Sequence, residues 1–261
     1  MLLAIDAGNT NIVFALFDQG KIKASWRRAT SSPNTADEYA AFLMALMSDM
    51  DIKPSAIKAA IIASVVPEAN FHLKKLCQDY FTCEPLVIGD PAVDAGIKIM
   101  LDRPEEIGAD RIVNAVGGAE AFKPPLLIVD FGTATTFDVV DGDGNYQGGA
   151  IAPGINLSLQ DLHMAAAKLP RVGIAPSKRV IGKNTNEAIQ SGVYWGYAGL
   201  IEGLITRIKK EFGKPMTVIA TGGLAKLFSN AITGIDHFDP DLTLRGLYKI
   251  YERNNAKKSR R

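Results

Sequence analysis

The chain has 261 residues, with 29 Lys and Arg against 28 Asp and Glu, a formal net charge of +1 and 47% apolar side chains. That balance excludes a largely disordered chain, which needs few apolar residues and a large net charge, and it excludes a broad cationic coat for nucleic acid. The length fits two lobes of roughly 100–150 residues each, enough to bury a core without disulfides or structural metal.

Leu2–Ile5 is a short apolar run ended by Asp6-Ala7-Gly8-Asn9-Thr10. Ile12–Phe17 follows, stops at Asp18-Gln19-Gly20, and gives way to a looser alternation over Lys21–Arg27. Apolar runs punctuated by Gly, Asn and Asp predict three strands joined by tight turns. Ala36, Tyr39, Ala40, Leu43, Leu46 and Met47 recur at helical spacing and predict a helix over Thr35–Met50. Ile57–Val66 reads as a buried strand ended by Pro67, Glu68–Phe81 as a helix, and Glu84–Ile88 as a strand. Pro104–Ala121 starts as a loop and turns helical after Gly108, and Pro124-Pro125 interrupts the chain. Leu126–Val129 is a strand ended by Asp130-Phe131-Gly132-Thr133. Phe137–Val140 is another, and Asp141-Gly142-Asp143-Gly144 is a hairpin turn. Helices are expected at Ile155–Ala167 and Thr185–Phe212, then a strand at Met216–Ala220 ended by Thr221-Gly222-Gly223. A last helix runs from about Thr243 to Arg253. Lys257-Lys258-Ser259-Arg260-Arg261 reads as a solvated basic tail.

Several chemistries are absent. Cys77 and Cys83 lack zinc spacing and read as reduced thiols of a cytoplasmic protein, and the three histidines, His72, His163 and His237, are scattered. A metal site rich in His and a Ser-His-Asp hydrolase are both disfavoured, the latter because G-x-S-x-G is missing. The opening Met1–Asp6 is too short and too acidic for a signal peptide, and no run approaches the roughly 18 apolar residues of a membrane span. Neither a Walker A motif nor a strand-placed GxGxxG occurs.

The strongest internal feature is a repeat. Leu2-Leu3-Ala4-Ile5-Asp6-Ala7-Gly8-Asn9-Thr10 matches Leu126-Leu127-Ile128-Val129-Asp130-Phe131-Gly132-Thr133-Ala134, half a chain later: four apolar residues, Asp, one residue, Gly, then a polar residue. Both copies lead into a second strand, so the chain is expected to be two lobes with one strand–turn–strand opening, separated near Lys123-Pro124-Pro125. A duplicated fold puts its natural ligand site in the cleft. Gly in such a turn lets backbone N–H groups approach an anion, and Asn9, Thr10 and Asn11 add side-chain donors. An Asp there repels bare phosphate, so it makes sense beside a cation or its water. An ordinary hairpin, whose Asp and Asn satisfy their own backbone, is the alternative.

These segments resemble a known family. Asp6–Thr10, Asp130-Phe131-Gly132-Thr133-Ala134-Thr135-Thr136 and Thr221-Gly222-Gly223 are similar to the two phosphate motifs and the adenosine motif of the acetate and sugar kinase, heat-shock protein and actin superfamily. Gly108-Ala109-Asp110-Arg111 with Asn114, and Gly182-Lys183-Asn184-Thr185 with Ser191-Gly192, resemble the substrate motifs of the type III pantothenate kinases. Ser64-Val65-Val66-Pro67 and Pro153-Gly154 match as well. The resemblance runs from Leu2 to about Arg253. It implies an α/β fold of two duplicated ribonuclease H-like lobes, the actin-like ATPase fold, with ATP in the interlobe cleft. Residues 1–123 form the N-terminal lobe, 124–255 the C-terminal lobe, whose last helix can return to the first, and 256–261 the basic tail. It implies transfer of the γ-phosphate of ATP to pantothenate, the first step of coenzyme A biosynthesis, in a cytoplasmic homodimer that needs Mg and potassium or ammonium. Neither nucleic acid nor membrane is an expected partner.

By that resemblance Asp110 is the catalytic residue, and Gly108, Ala109, Asp110, Arg111 and Thr185 bind substrate. Asp6, Ala7, Gly8, Asn9, Thr10, Asn11, Thr133, Gly222 and Gly223 bind ATP, and Asp130 holds the monovalent cation. The residue types agree: a carboxylate accepts a hydroxyl proton, and a fixed cation pairs with the acceptor's carboxylate. The alternatives are an Asp110 that caps its own helix, a Thr185 that caps the helix before Glu187, and an Asp138 that either pairs internally or meets metal through water. The family often has Tyr where this chain has Leu101 and Asn where it has Arg103, which leaves the acceptor pocket open to change. A nucleotide-binding accessory factor for transcription, or a kinase for another small hydroxyl substrate, are the competing functions.

Overall fold

The computed structural model describes residues 1–30, 34–165 and 169–258. The expected end of the fourth helix at Ala167 and the last three residues of the basic tail lie outside them. The chain divides into two compact units. The first comprises Met1–Ile97, Asp102–Glu120 and Leu242–Arg261, and the second Lys98–Leu101 and Ala121–Asp241.

In the first unit β1 (Leu2–Ala7), β2 (Asn11–Asp18), β3 (Lys21–Ala29), β4 (Ala59–Ser64) and β5 (Leu86–Val87) form one sheet, ordered β3-β2-β1-β4-β5. β1 runs antiparallel to β2 and parallel to β4. It is central and covered on both faces, which is why Leu2–Ile5 reads as a continuous apolar run. Leu3, Ile5 and Ala7 pack among Tyr39 and Leu43 of α1 (Ala36–Ser48) and Leu73 of α2 (Pro67–Lys75). Leu2 and Ala4 point the other way. They pack among Val113 of α3 (Ala109–Ala121) and Leu247 and Ile250 of α6 (Leu242–Lys258). Thr35 and Glu38 make a reciprocal capping box that starts α1. The helix predicted over Glu68–Phe81 is not uniform: α2 ends at Lys75 and widens into a π turn, Leu76–Tyr80, that buries Leu76 and Cys77.

In the second unit β6 (Leu126–Phe131), β7 (Ala134–Val140), β8 (Tyr146–Pro153), β9 (Thr217–Thr221) and β10 (His237–Phe238) are ordered β10-β9-β6-β7-β8. Read from the β8 edge, this is the order of the first sheet, with the same two antiparallel and two parallel pairings. Beside it run α4 (Ile155–Ala165) and α5 (Thr185–Phe212), α5 ending on Gly213 at φ +73°. Phe131, Phe137, Tyr194, Tyr197 and Phe228 lie in its core.

β8 and β10 escaped the sequence reading. β8 carries Gly148-Gly149, which breaks the apolar alternation, and β10 is only two residues long. The last helix begins one residue earlier than expected and continues to Lys258. Lys98–Leu101 adds to β8: Tyr146 N donates to Lys98 O at 2.9 Å and Met100 N to Tyr146 O at 2.8 Å. Two mixed sheets of one topology, each with helices, make this the two-lobe α/β fold of the sugar kinases and actin-like ATPases.

Candidate nucleotide and acceptor site

The first loop closes the β1–β2 hairpin. Gly8 N donates to Asn11 O at 3.0 Å, and Asn9, Thr10 and Asn11 are exposed. Asp6 sits at the end of β1 between Val13 and Ala63 of the neighbouring strands. Thr30 fastens the turn: its hydroxyl donates to Gly8 O at 2.8 Å and its N–H to Thr10 O at 2.9 Å. Sequence reading missed Thr30, because only the pairing of β3 with β2 brings it there.

Gly108–Arg111 lies in the same unit, and Gly108 stands beside Val65, which is bonded to the end of β1. Val65 N donates to Ala7 O at 3.0 Å, and a methyl group on Gly108 would touch Val65 Cγ1 at 3.6 Å. The turn holding Val65 is set by Ser64, whose Oγ accepts from Val66 N at 3.1 Å. Asp110 is half-buried in the first turn of α3, where its Oδ1 accepts from Arg111 N at 2.8 Å. That bond engages one carboxylate oxygen at the helix start. Burial pushes the Asp110 carboxyl above its ordinary value of 3.8, against the opposing pull of the Arg111 N–H and charge.

The second unit repeats the device. Gly132 N donates to Ala134 O at 3.2 Å in the β6–β7 turn, leaving Gly132 and Thr133 exposed. Two glycines press on this turn. Gly154 donates its N–H to Thr133 O at 3.2 Å, and a methyl group there would overlap the Gly132 and Thr133 carbonyls. Gly222, at φ +92°, stands against Asp130 and Phe131, with Gly223 beside it in open space. Asp130, Thr133 and Gly222 thus come together in one unit, with Gly154 as the addition that the Pro153-Gly154 signal could have given. Burial, with the Asp130 charge nearby, raises the Tyr197 hydroxyl to about 12, and that hydroxyl is 2.6 Å from Thr135 Oγ1.

One carboxylate among backbone oxygens suits a weakly charged monovalent cation more than an ion that needs several carboxylates. Among the described residues no group of three or more His, Cys, Asp and Glu side chains is arranged to hold a metal. Asp138 is fully buried and accepts from Tyr146 OH at 2.8 Å and Thr136 Oγ1 at 2.9 Å, so it pairs internally. The cap of α5 is Asn184, not Thr185: Asn184 Oδ1 accepts from Glu187 N at 2.9 Å, because Glu187 is the third helical residue after Asn184. Thr185 is exposed at the first helical position. Leu101 lies against Gly148, where a methyl group would meet it at 3.2 Å.

The family model for type III pantothenate kinase matches residues 2–207. A type III pantothenate kinase from Paramagnetospirillum magneticum is 61% identical over 98% of both chains. Among solved structures, a Campylobacter jejuni protein provisionally named a Baf family transcriptional activator aligns with a TM-score of 0.60, at 19% identity over 97% of this chain and 99% of that one. A Sinorhizobium meliloti protein provisionally named a 2-dehydro-3-deoxygalactonokinase aligns at 0.57, with 14% identity over 97% and 96%. At those identities the two structures speak for the fold alone. The sequence match spans the first loop, Gly108–Arg111, the second loop and most of α5, and on that ground the chain belongs to the type III pantothenate kinase family.

Proposed function

We propose that this protein transfers the γ-phosphoryl group of ATP to the primary hydroxyl of pantothenate, the opening step of coenzyme A biosynthesis. The supporting observation is local to the first unit: Gly108, which leads into Asp110 and Arg111, lies beside Val65, whose N–H bonds Ala7 at the end of β1, where the Asp6–Asn11 loop begins. The kinase reading is supported throughout by the family match.

Phosphoryl transfer demands positioning and neutralisation of charge more than covalent chemistry. Asp110 accepts the proton of the attacking hydroxyl as the new P–O bond forms and the bond to ADP breaks. Its burial raises proton affinity, which makes it a stronger base than a solvated carboxylate. Arg111 pairs with the carboxylate of pantothenate, and Gly108 and Ala109 leave room for the chain to approach. Ala7, Gly8, Asn9, Thr10, Asn11 and Thr133 offer backbone and side-chain donors to phosphate oxygens, and Gly222 and Gly223 face the nucleoside. Asp6 and Asp130 are assigned to cations: Asp130 to potassium or ammonium, Asp6 to the water shell of Mg. When bound, these ions neutralise charge on the phosphates. Thr185 is assigned to pantothenate. A cytoplasmic homodimer is part of the same reading. Among the described residues no helix is long and apolar enough to cross a membrane.

Incubation of the purified protein with ATP, Mg, potassium and pantothenate, followed by mass spectrometry, is expected to yield phosphopantothenate and ADP. A protein that binds ATP but leaves pantothenate unchanged would overturn the reading.

A further inference from the structure

The face of α3 that carries Asp110 continues into a contact with α6. Asp110, Val113, Asn114 and Gly117 fall at helical spacings of three, four and seven residues and so share one stripe. Down that stripe the two helices meet backbone to backbone. A methyl group on Gly117 would overlap the Leu242 carbonyl oxygen, and one on Gly246 would overlap the Val113 carbonyl oxygen. Only a glycine fits opposite each of those carbonyls, so the two notches hold the axial register. Asn114 adds a directional bond: it is 1% exposed, and its Oδ1 accepts the Thr243 hydroxyl at 2.7 Å. A satisfied polar pair in an apolar contact is directional and admits one rotation of α3 about its axis. Asp110 lies one turn away, at the N-terminal end of the same stripe.

We infer that the Asn114–Thr243 bond is a positioning device for phosphoryl transfer: α6 fixes the rotation of α3 and thereby the place of the Asp110 carboxylate. Asn114 and Thr243 act through Asp110 and are positioning residues. The inference rests on the assignment of Asp110 as the base.

The test uses the full chain and steady-state kinetics with both substrates. Thr243→Val removes the hydroxyl and keeps the shape. It is expected to lower kcat about tenfold while the KM for ATP stays within about twofold, the signature of a misplaced reacting group. Thr243→Ser keeps the hydroxyl and is expected to stay within about twofold of the parent in both quantities. The deciding measurement is the same substitution in an Asp110→Asn background, where the base is already gone. There Thr243→Val is expected to change residual turnover by less than about twofold, since coupled residues are not additive. An equal loss in both backgrounds, or no loss in the parent, overturns the positioning role. Near-parental turnover of Asp110→Asn alone overturns the base assignment instead, and the inference with it. Thr243→Ala deletes the same hydroxyl without harming the helix and carries the test if the Val variant folds poorly.

Discussion

Gly222 stands so close to Asp130 that a single methyl group on its α carbon would overlap the carboxylate oxygen and the Phe131 backbone. Its φ of +92° is also a conformation that only glycine adopts freely. Two independent penalties therefore fall on Gly222→Ala. Strain alone costs about 1–2 kcal/mol, and the overlap pushes Asp130 from its place. The expected outcome is a lower melting temperature, a dissociation constant for ATP at least about tenfold higher, and a blunted response to potassium. Calorimetric ATP binding and a potassium titration of turnover measure these separately. Gly223→Ala, in open space at ordinary φ, is the matched control and is expected to leave stability unchanged.

Asp110→Asn keeps the side-chain shape and removes the proposed base. Turnover is expected to fall by about 10²–10⁴ while ATP affinity persists. Binding and turnover assays on one preparation separate the two.

The pH profile follows from the same residue. Burial raises the Asp110 pKa above 3.8, and the ionised form is the proposed base, so activity is expected to rise with pH through a limb lying above that value. The Arg111 charge pulls the pKa down, so Arg111→Ala is expected to move the limb of kcat to higher pH, besides raising the KM for pantothenate. Linkage gives the opposite sign for stability. A raised native pKa contributes stability below the unfolded value, and that contribution is lost as pH rises through the native one. Asp110→Asn is therefore expected to melt higher than the parent at pH 8. A lower melting temperature for the Asn variant would contradict this account.

Much of this fold was legible because its strongest signals are local. The β1 and β6 runs are apolar without alternation because both strands are central, and each ends in an Asp-x-Gly turn, so the duplication is visible in the sequence alone. α5 runs over the expected Thr185–Phe212, and in the structure Asn184, not Thr185, caps its start and Gly213 its end. What could not be read depended on distant residues. Thr30 reaches Gly8 only through strand pairing, and Gly154 reaches Thr133 only because β8 returns beside β7. Gly117 and Gly246 are unremarkable in sequence, and nothing local says that each faces a backbone carbonyl.

Asp138 tests the second unit's core. Tyr146 and Thr136 donate hydroxyls to different carboxylate oxygens of a fully buried residue. Tyr146→Phe keeps the ring and removes the hydroxyl that donates to Asp138 Oδ1. The expected loss is about 1–3 kcal/mol in urea unfolding. A loss below about 0.5 kcal/mol would show that this hydrogen bond does not hold the core together.

Asp94 fastens α6 at its far end. Its Oδ2 accepts from Arg253 Nε at 2.8 Å and Lys257 Nζ at 2.5 Å, and its Oδ1 accepts from Gly96 N at 2.8 Å. Its backbone is gripped as well: Asp94 N donates to Asn254 Oδ1 at 3.0 Å, and Asp94 O accepts from Asn254 Nδ2 at 2.9 Å. The two cationic partners, with the Gly96 N–H, hold the carboxyl far below its ordinary value of 3.8. For a lowered pKa the stabilisation is present above the unfolded value and is lost as pH falls through the native one. The carboxylate is 35% exposed, so solvent and salt screen the pairs and the network is worth about 1 kcal/mol. Asp94→Ala is therefore expected to lower stability by about that amount at pH 7 and low ionic strength. The difference from the parent should shrink in 1 M salt and again as pH falls below 3.8, because both conditions already weaken the pairs in the parent. Because α6 also meets α3 at Gly117 and Asn114, loosening this end should reach Asp110. A fall in kcat that grows with ionic strength in the parent, and is absent from Asp94→Ala, is the expected kinetic counterpart.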